Sequence, residues 1–129
     1  MKENELGLHS IEKTFRQKIE KTNAIIHDGS LRCGNKIEHE GTIIIIGDIN
    51  AGAEVVSGEN VIVLGAIRGL AHAGASGNRG AIIVANEIDA PQIRIADIVK
   101  EIEKEESVEN EEKTIRKRAY IKNNKMILE

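Results

Sequence analysis

The chain has 129 residues, 40% hydrophobic and 30% charged, with a formal net charge of -3. That suffices for one domain with a buried core, and the mild acidity argues against bulk attraction to nucleic acid or an anionic membrane. Phe15 and Tyr120 are the only aromatics and Cys33 the only cysteine, which argues against aromatic-lined pockets and base-stacking platforms and excludes an intrachain disulfide or a multi-cysteine metal site.

Along residues 1–27, Ile11, Phe15 and Ile19 recur at helical spacing behind Ser10, a residue suited to capping. The pattern predicts a short amphipathic helix, a linker or remnant rather than a domain. The longest apolar stretch, Thr42 to Ile46, is far short of a membrane span, and no signal-peptide pattern opens the chain. A soluble cytoplasmic protein is expected.

From residue 28 onward the composition changes. Eleven of the twelve glycines lie between Gly29 and Gly80. Leu31, Ile37, Ile43, Ile49, Val55, Val61 and Ile67 are all apolar and follow one another every six residues. Six is not a helical period, but it is even, so strand alternation keeps these positions on one side of the backbone. Three six-residue sides make an 18-residue coil, and Ile43–Ile49 is echoed at that offset by Val61–Ile67. A third copy, Ile82–Ile88, follows at a longer interval, as though three residues were inserted at a corner. Short β-branched strands, glycine corners and a fixed period predict an all-β, three-sided parallel β-solenoid whose stacked coils share one core. A β-sandwich with glycine turns is the alternative.

Alternation places Ile43, Ile45, Val61, Val63, Ile82 and Val84 inward. It leaves Ile44, Ile46, Ile62, Leu64 and Ile83 outward, an apolar stripe that needs a cover. A second subunit is the favoured cover, and the chain's own C-terminal hairpin the competing one. Residues 99–118 pass from an acidic block into a basic one and read as a charged connector, a solvated loop or frayed helix. Residues 119–129 predict that hairpin, with Ala119–Lys122 and Lys125–Leu128 joined by Asn123-Asn124, a residue type that tolerates positive φ.

Candidate chemistry is sparse. His72 stands in a run of small residues, and a hexapeptide-repeat acyltransferase would use such a histidine as general base. No second histidine or carboxylate is placed to orient it, and a structural or contact role is preferred. The glycine run fits neither phosphate-binding fingerprint. His9, His27 and His39 are too scattered for a metal site, and Cys33 reads as a packing residue. No catalytic residue, metal or cofactor is expected. Arg32, Asn35, Glu54 and Arg68 are the exposed side chains suited to binding.

Several segments resemble the C-terminal domain of the bacterial septum site-determining protein MinC. The likeness runs from about Gly29 to Val99 and more loosely through Ala119-Tyr120-Ile121. The family's R-S-G-Q corner reads here as Arg32-Cys33-Gly34-Asn35, and its G-D-[VI]-N-P-G-[AS]-E segment as Gly47-Asp48-Ile49-Asn50-Ala51-Gly52-Ala53-Glu54. Glu59 to Gly69 follows its G-N-[IV]-x-V-x-G-x-[LI]-R-G pattern, with Glu59 replacing the first glycine, and His72 to Asn78 its H-A-G-A-x-G-N run. Cys33, Asn35 and Ala51 depart from the family's Ser, Gln and Pro. The resemblance implies a right-handed triangular β-helix that dimerises through one face, with Ile44, Ile46, Ile62, Leu64 and Ile83 as face candidates. It also implies binding to the ATP-bound, membrane-associated ATPase MinD, which would recruit the protein to the inner face of the membrane and block FtsZ assembly away from midcell. Arg32, Gly34, Asn35, Gly52, Glu54 and Arg68 are the MinD-facing candidates. Contact with FtsZ would be indirect or weak, because the family's N-terminal antagonist domain has no counterpart here; contact with the membrane would run through MinD alone. A bactofilin-like structural polymer and the acyltransferase are the alternatives.

Overall fold

A computed structural model describes residues 23–102 and 117–129. The helix expected around residues 11–19 and the middle of the charged connector lie outside the described residues. Within them the chain is all strand and turn, and no helix is long and apolar enough to cross a membrane.

The strands are β1 (Ile25–Asp28), β2 (Lys36–His39), β3 (Ile43–Ile46), β4 (Glu54–Ser57), β5 (Val61–Ile67), β6 (Leu70–Ala73), β7 (Ile83–Ile88), β8 (Gln92–Ile95), β9 (Ile98–Glu101), β10 (Lys117–Lys122) and β11 (Lys125–Leu128). They stack as coils. One side is a six-stranded sheet in the order β1-β3-β5-β7-β10-β11, and a second is a five-stranded sheet ordered β2-β4-β6-β8-β9. The third side is reduced to a ladder of single bridges, Leu31 to Ile49 to Ile67.

Alternation explains why these residues build a core. Every position of the six-residue series faces inward. Ile43, Ile49, Val55, Val61 and Ile67 are fully buried, Leu31 nearly so, and Ile37 packs against them at the open first coil. Parallel pairing one coil apart, Ile43 with Val61 and Ile37 with Val55, sets like residues over one another. Ala73, the next step of the series, is also buried. Ala71 is buried as well, and strand alternation keeps both alanines of β6 on the inner face.

The outward assignment of Ile83 is corrected. Val61 pairs with Ile83 and Val63 with Ala85, but beyond them Ala66 pairs with Glu87 and Ile67 with Ile88, so the offset between the strands shrinks by one. A β-bulge in β5 separates these registers, because Leu64 and Gly65 together oppose Asn86. A bulge of one residue inverts the faces on one side of it. Aligning the copies on Ile67 and Ile88 therefore misplaces the start of β7. Ile83 is fully buried, while Ile82 and Val84 are half-buried on the outer side. The outer row reads Ile26, Ile44, Ile62 and Val84 across β1, β3, β5 and β7. Ile26, Ile46 and Leu64 are 67%, 42% and 43% exposed.

The C-terminal hairpin does not cover this row. β10 adds to the sheet edge antiparallel to β7, with Ala119 opposite Ile83 and Arg118 opposite Val84. Ala119 and Met126 close the core, while Tyr120 and Ile127 extend the outer face by alternation. Asn123 and Asn124 both hold positive φ, 53° and 63°, as a two-residue hairpin of the I′ kind requires. Two ends of the segments read as helix or loop are strands instead: Ile25–Asp28 forms β1, and Ile98–Glu101 folds back on β8 as β9. Arg79 clamps this end, pairing with Asp97 and donating to Asn124 Oδ1. The hydrogen bond from Arg79 holds the Asp97 carboxyl below its ordinary value. Its contribution is therefore present above the unfolded carboxyl's pKa and lost as the pH falls through the folded one.

The register has a direct test. Ile83→Ala is expected to cost about 2–5 kcal/mol by denaturant unfolding, the usual loss for a buried isoleucine, and Ile82→Ala well under half of that.

Candidate binding corner

Consecutive coils turn from the bridge side into the second sheet at one corner, and the MinD-facing candidates meet there. In the first coil Leu31 leads into Arg32-Cys33-Gly34-Asn35. Asn35 N–H donates to Arg32 O at 2.9 Å, and Asn35 Oδ1 accepts the Arg32 N–H at 2.9 Å. The second coil repeats the turn, with Ala53 N–H on Asn50 O at 2.9 Å. Gly34 and Gly52 occupy the third position of each turn with φ of 89° and 83°, where a type II turn needs a left-handed residue. The turns stack through Gly34 N–H on Gly52 O and Glu54 N–H on Asn35 O, both at 3.0 Å.

The third coil cuts the corner short. Val55 of β4 pairs with Ala71 of β6, where an unshortened coil would bring Ala73. Arg68 and Gly69 both donate their N–H to Ile49 O, at 2.7 and 2.9 Å. A Cβ on Gly69 would lie 2.4 Å from Ala53 O, so the tight turn admits glycine alone. This packing need accounts for the glycine that follows Arg68 in the sequence.

Three side chains then form a column, Arg32, Asn50 and Arg68, each one coil after the last. With about 4.8 Å between coils, the two arginine positions lie about 10 Å apart. Arg68 Nη1 reaches Asp48 Oδ2 and Asn50 Oδ1, each at 3.4 Å. Glu54 stands beside the column on β4, over Lys36 of β2, whose Nζ lies 3.8 Å from its carboxylate and 3.3 Å from Glu38. Two other candidates act within the corner itself. The Asn35 side chain closes its own turn, and Gly52 lies directly against Cys33, where a Cβ would sit 2.5 Å from Sγ. A Gly52 variant therefore strains the turn as well as altering the surface. Side-chain chemistry alone does not single out Asp48, Asn50 or Lys36. The coil period does reveal Asn50, which falls midway between Arg32 and Arg68.

His72 is remote in role from this column. It lies on β6, and its ring Nε2 contacts Ala96 O at 3.0 Å, which also accepts Arg94 Nε at 3.3 Å. Ala96 has a φ of 52°, so the imidazole helps to satisfy the strained β8–β9 turn. Cys33 is exposed at the second position of its turn. His39 is hydrogen-bonded to the Asn23 carbonyl. Among the described residues no three His, Cys, Asp or Glu side chains gather as metal ligands.

The second turn offers a stability test. Ala51 occupies the position that proline favours, and among the described residues its N–H donates no hydrogen bond. Ala51→Pro should raise stability by about 0.4–1 kcal/mol, and Gly52→Ala should lower it by about 1 kcal/mol or more, both read by thermal melting.

Comparison with known proteins matches these features to one family. The family described as septum formation inhibitor MinC, C-terminal domain, matches residues 25–129. A probable septum site-determining protein MinC from Caldanaerobacter subterraneus subsp. tengcongensis is 44% identical over 63 residues, covering 48% of this chain and 27% of that protein. A protein of the same description from a Sulfurihydrogenibium species is 38% identical over 63 residues, 49% of this chain and 31% of its own length. The match thus spans less than a third of either relative. Among solved structures, a chain of the MinC:MinD cell division protein complex from Aquifex aeolicus superposes with a TM-score of 0.73 at 34% identity, covering 82% of this chain and 84% of that one. The stacked β-coils and the family match over residues 25–129 together make this chain a member of the MinC C-terminal domain family.

Proposed function

We propose that the chain is the dimerising, MinD-binding module of a cell-division inhibitor. It binds ATP-bound MinD through the corner that carries Arg32, Asn50 and Arg68, and MinD brings it to the inner face of the membrane. There it blocks FtsZ-ring and septum formation away from midcell, touching FtsZ only indirectly or weakly itself. The observation that carries the proposal is the column of two arginines standing over stacked glycine turns. It is supported by likeness to a chain from the MinC:MinD complex of Aquifex aeolicus. Arginine suits this task because its planar fork makes two charge-assisted hydrogen bonds to one carboxylate.

The outer face of the six-stranded sheet serves dimerisation. Ile44, Ile62 and Val84 lie half-buried in one row, and Ile46 and Leu64 stand exposed beside them. An apolar face of that kind is covered by an equivalent face in a two-fold dimer. No catalytic step belongs to this function: the one histidine in the small-residue run already serves the β8–β9 turn. An open-ended structural polymer of the bactofilin kind is disfavoured by the antiparallel β9 and β10–β11, which end the parallel stacking of coils.

Two experiments separate the surfaces. Leu64→Glu places a charge on the proposed dimer face and should yield a folded monomer in sedimentation, with MinD contact residues untouched; a folded dimer would remove this face from the proposal. Arg32→Ala and Arg68→Ala should each weaken MinD binding in the presence of ATP about tenfold, or about 1.4 kcal/mol, while remaining dimeric. Undiminished binding by both variants would remove the corner.

A further inference from the structure

Asp48 is the carboxylate nearest the column, and its two oxygens do different things. Oδ1 accepts the backbone N–H of Ala66, one coil on, at 2.8 Å. Oδ2 faces Arg68 Nη1 at 3.4 Å. The Asp48 N–H donates to Ser30 Oγ in the preceding coil at 2.9 Å, so the residue is tied to the coils on both sides. Gly65 makes room for it, since a Cβ there would lie 2.5 Å from Oδ1. Arg68 is thus held through Nη1 by a fixed carboxylate and by Asn50. Among the described residues Arg32 has no ion pair through its guanidinium. One arginine of the column is oriented and the other is free to turn.

We infer that Asp48 is a positioning residue for partner binding, presetting Arg68 so that its remaining N–H groups face outward toward a carboxylate of the partner. The inference rests on the proposed corner as the MinD site. A long side chain already held in its bound geometry loses less freedom on association than one that must be ordered. A competing effect runs the other way, because the Asp48 charge offsets part of the attraction between Arg68 and an acidic partner. The inference requires presetting to exceed that offset; Asp48 occupies only the Nη1 end and leaves Nε and Nη2 without a bond among the described residues.

Asp48→Asn tests this cleanly, for the amide oxygen still accepts the Ala66 N–H while the charge beside Arg68 is gone. Affinity for MinD with ATP is measured for Asp48→Asn, Arg68→Ala and the double variant, with melting temperatures for each. Asp48→Asn should weaken binding about three- to tenfold beside Arg68 and by nothing further in the Arg68→Ala background, the mark of a coupled pair. Combined with Arg32→Ala, which Asp48 does not touch, its effect should multiply. Asn50→Ala, which spares the Ala66 hydrogen bond altogether, should give a smaller loss that also vanishes without Arg68. Wild-type or tighter binding by Asp48→Asn, or an equal loss with and without Arg68, overturns the inference while leaving the corner intact if Arg68→Ala alone weakens binding. If Arg68→Ala binds as wild type, the inference fails, and the corner fails with it when Arg32→Ala also binds as wild type.

Discussion

Each coil finds its backbone hydrogen-bond partners in the coils before and after it. Leu31 N–H is satisfied by Asp48 O, Ile49 N–H by Ala66 O, and Gly29 N–H by Ile46 O. Buried backbone groups left unpaired would be costly, so coils must stack in register. Stacking in register superposes residues one coil apart at about 4.8 Å. That spacing builds the inner ladder of isoleucine and valine, the outer apolar row and the arginine column at the corner.

The constraint also explains which parts of the fold are legible in the sequence. Inward positions from Leu31 to Ile67 keep a strict six-residue spacing because the two regular coils, Leu31 to Asp48 and Ile49 to Ala66, are equally long. Where the coil length changes, the pattern breaks. The corner at Arg68-Gly69 is tighter than the one at Asn50–Ala53, so Val55 meets Ala71 and not Ala73. The inward residues of β6 are Ala71 and Ala73, too small to stand out as apolar markers. The bulge at Leu64-Gly65 then gives β5 and β7 two registers at once. A pattern aligned on Ile88 therefore assigns Ile83 to the wrong face. A glycine within a strand can mark a bulge, but Gly65 falls 18 residues after Gly47 and so reads as the same corner glycine repeated one coil on.

The corner is legible in part. Arg32, Glu54 and Arg68 are visible as charged residues beside glycine, and the family resemblance marks the same segments. The stacking of Arg32 and Arg68 into one column, with Glu54 beside it, follows from the regular coil length. Asp48 is not legible, because its role depends on a hydrogen bond to a backbone amide one coil away, which no local motif encodes. The C-terminal hairpin is readable from its Asn-Asn turn, whereas its place at the sheet edge depends on which core residues remain uncovered after β7. Ala119 and Met126 fill that need, and the outer apolar row is left open.

Amide hydrogen exchange of the chain, alone and with MinD and ATP, reports directly on whether the stacked corner is the binding surface. Segments 32–36, 50–54 and 68–70 are distant in sequence and adjacent at that one corner. If the partner docks there, these three segments gain protection together on binding, while Ile44–Ile46 and Ile62–Leu64 on the proposed dimer face stay unchanged. Protection centred on the sheet face, or confined to one of the three corner segments, would contradict it.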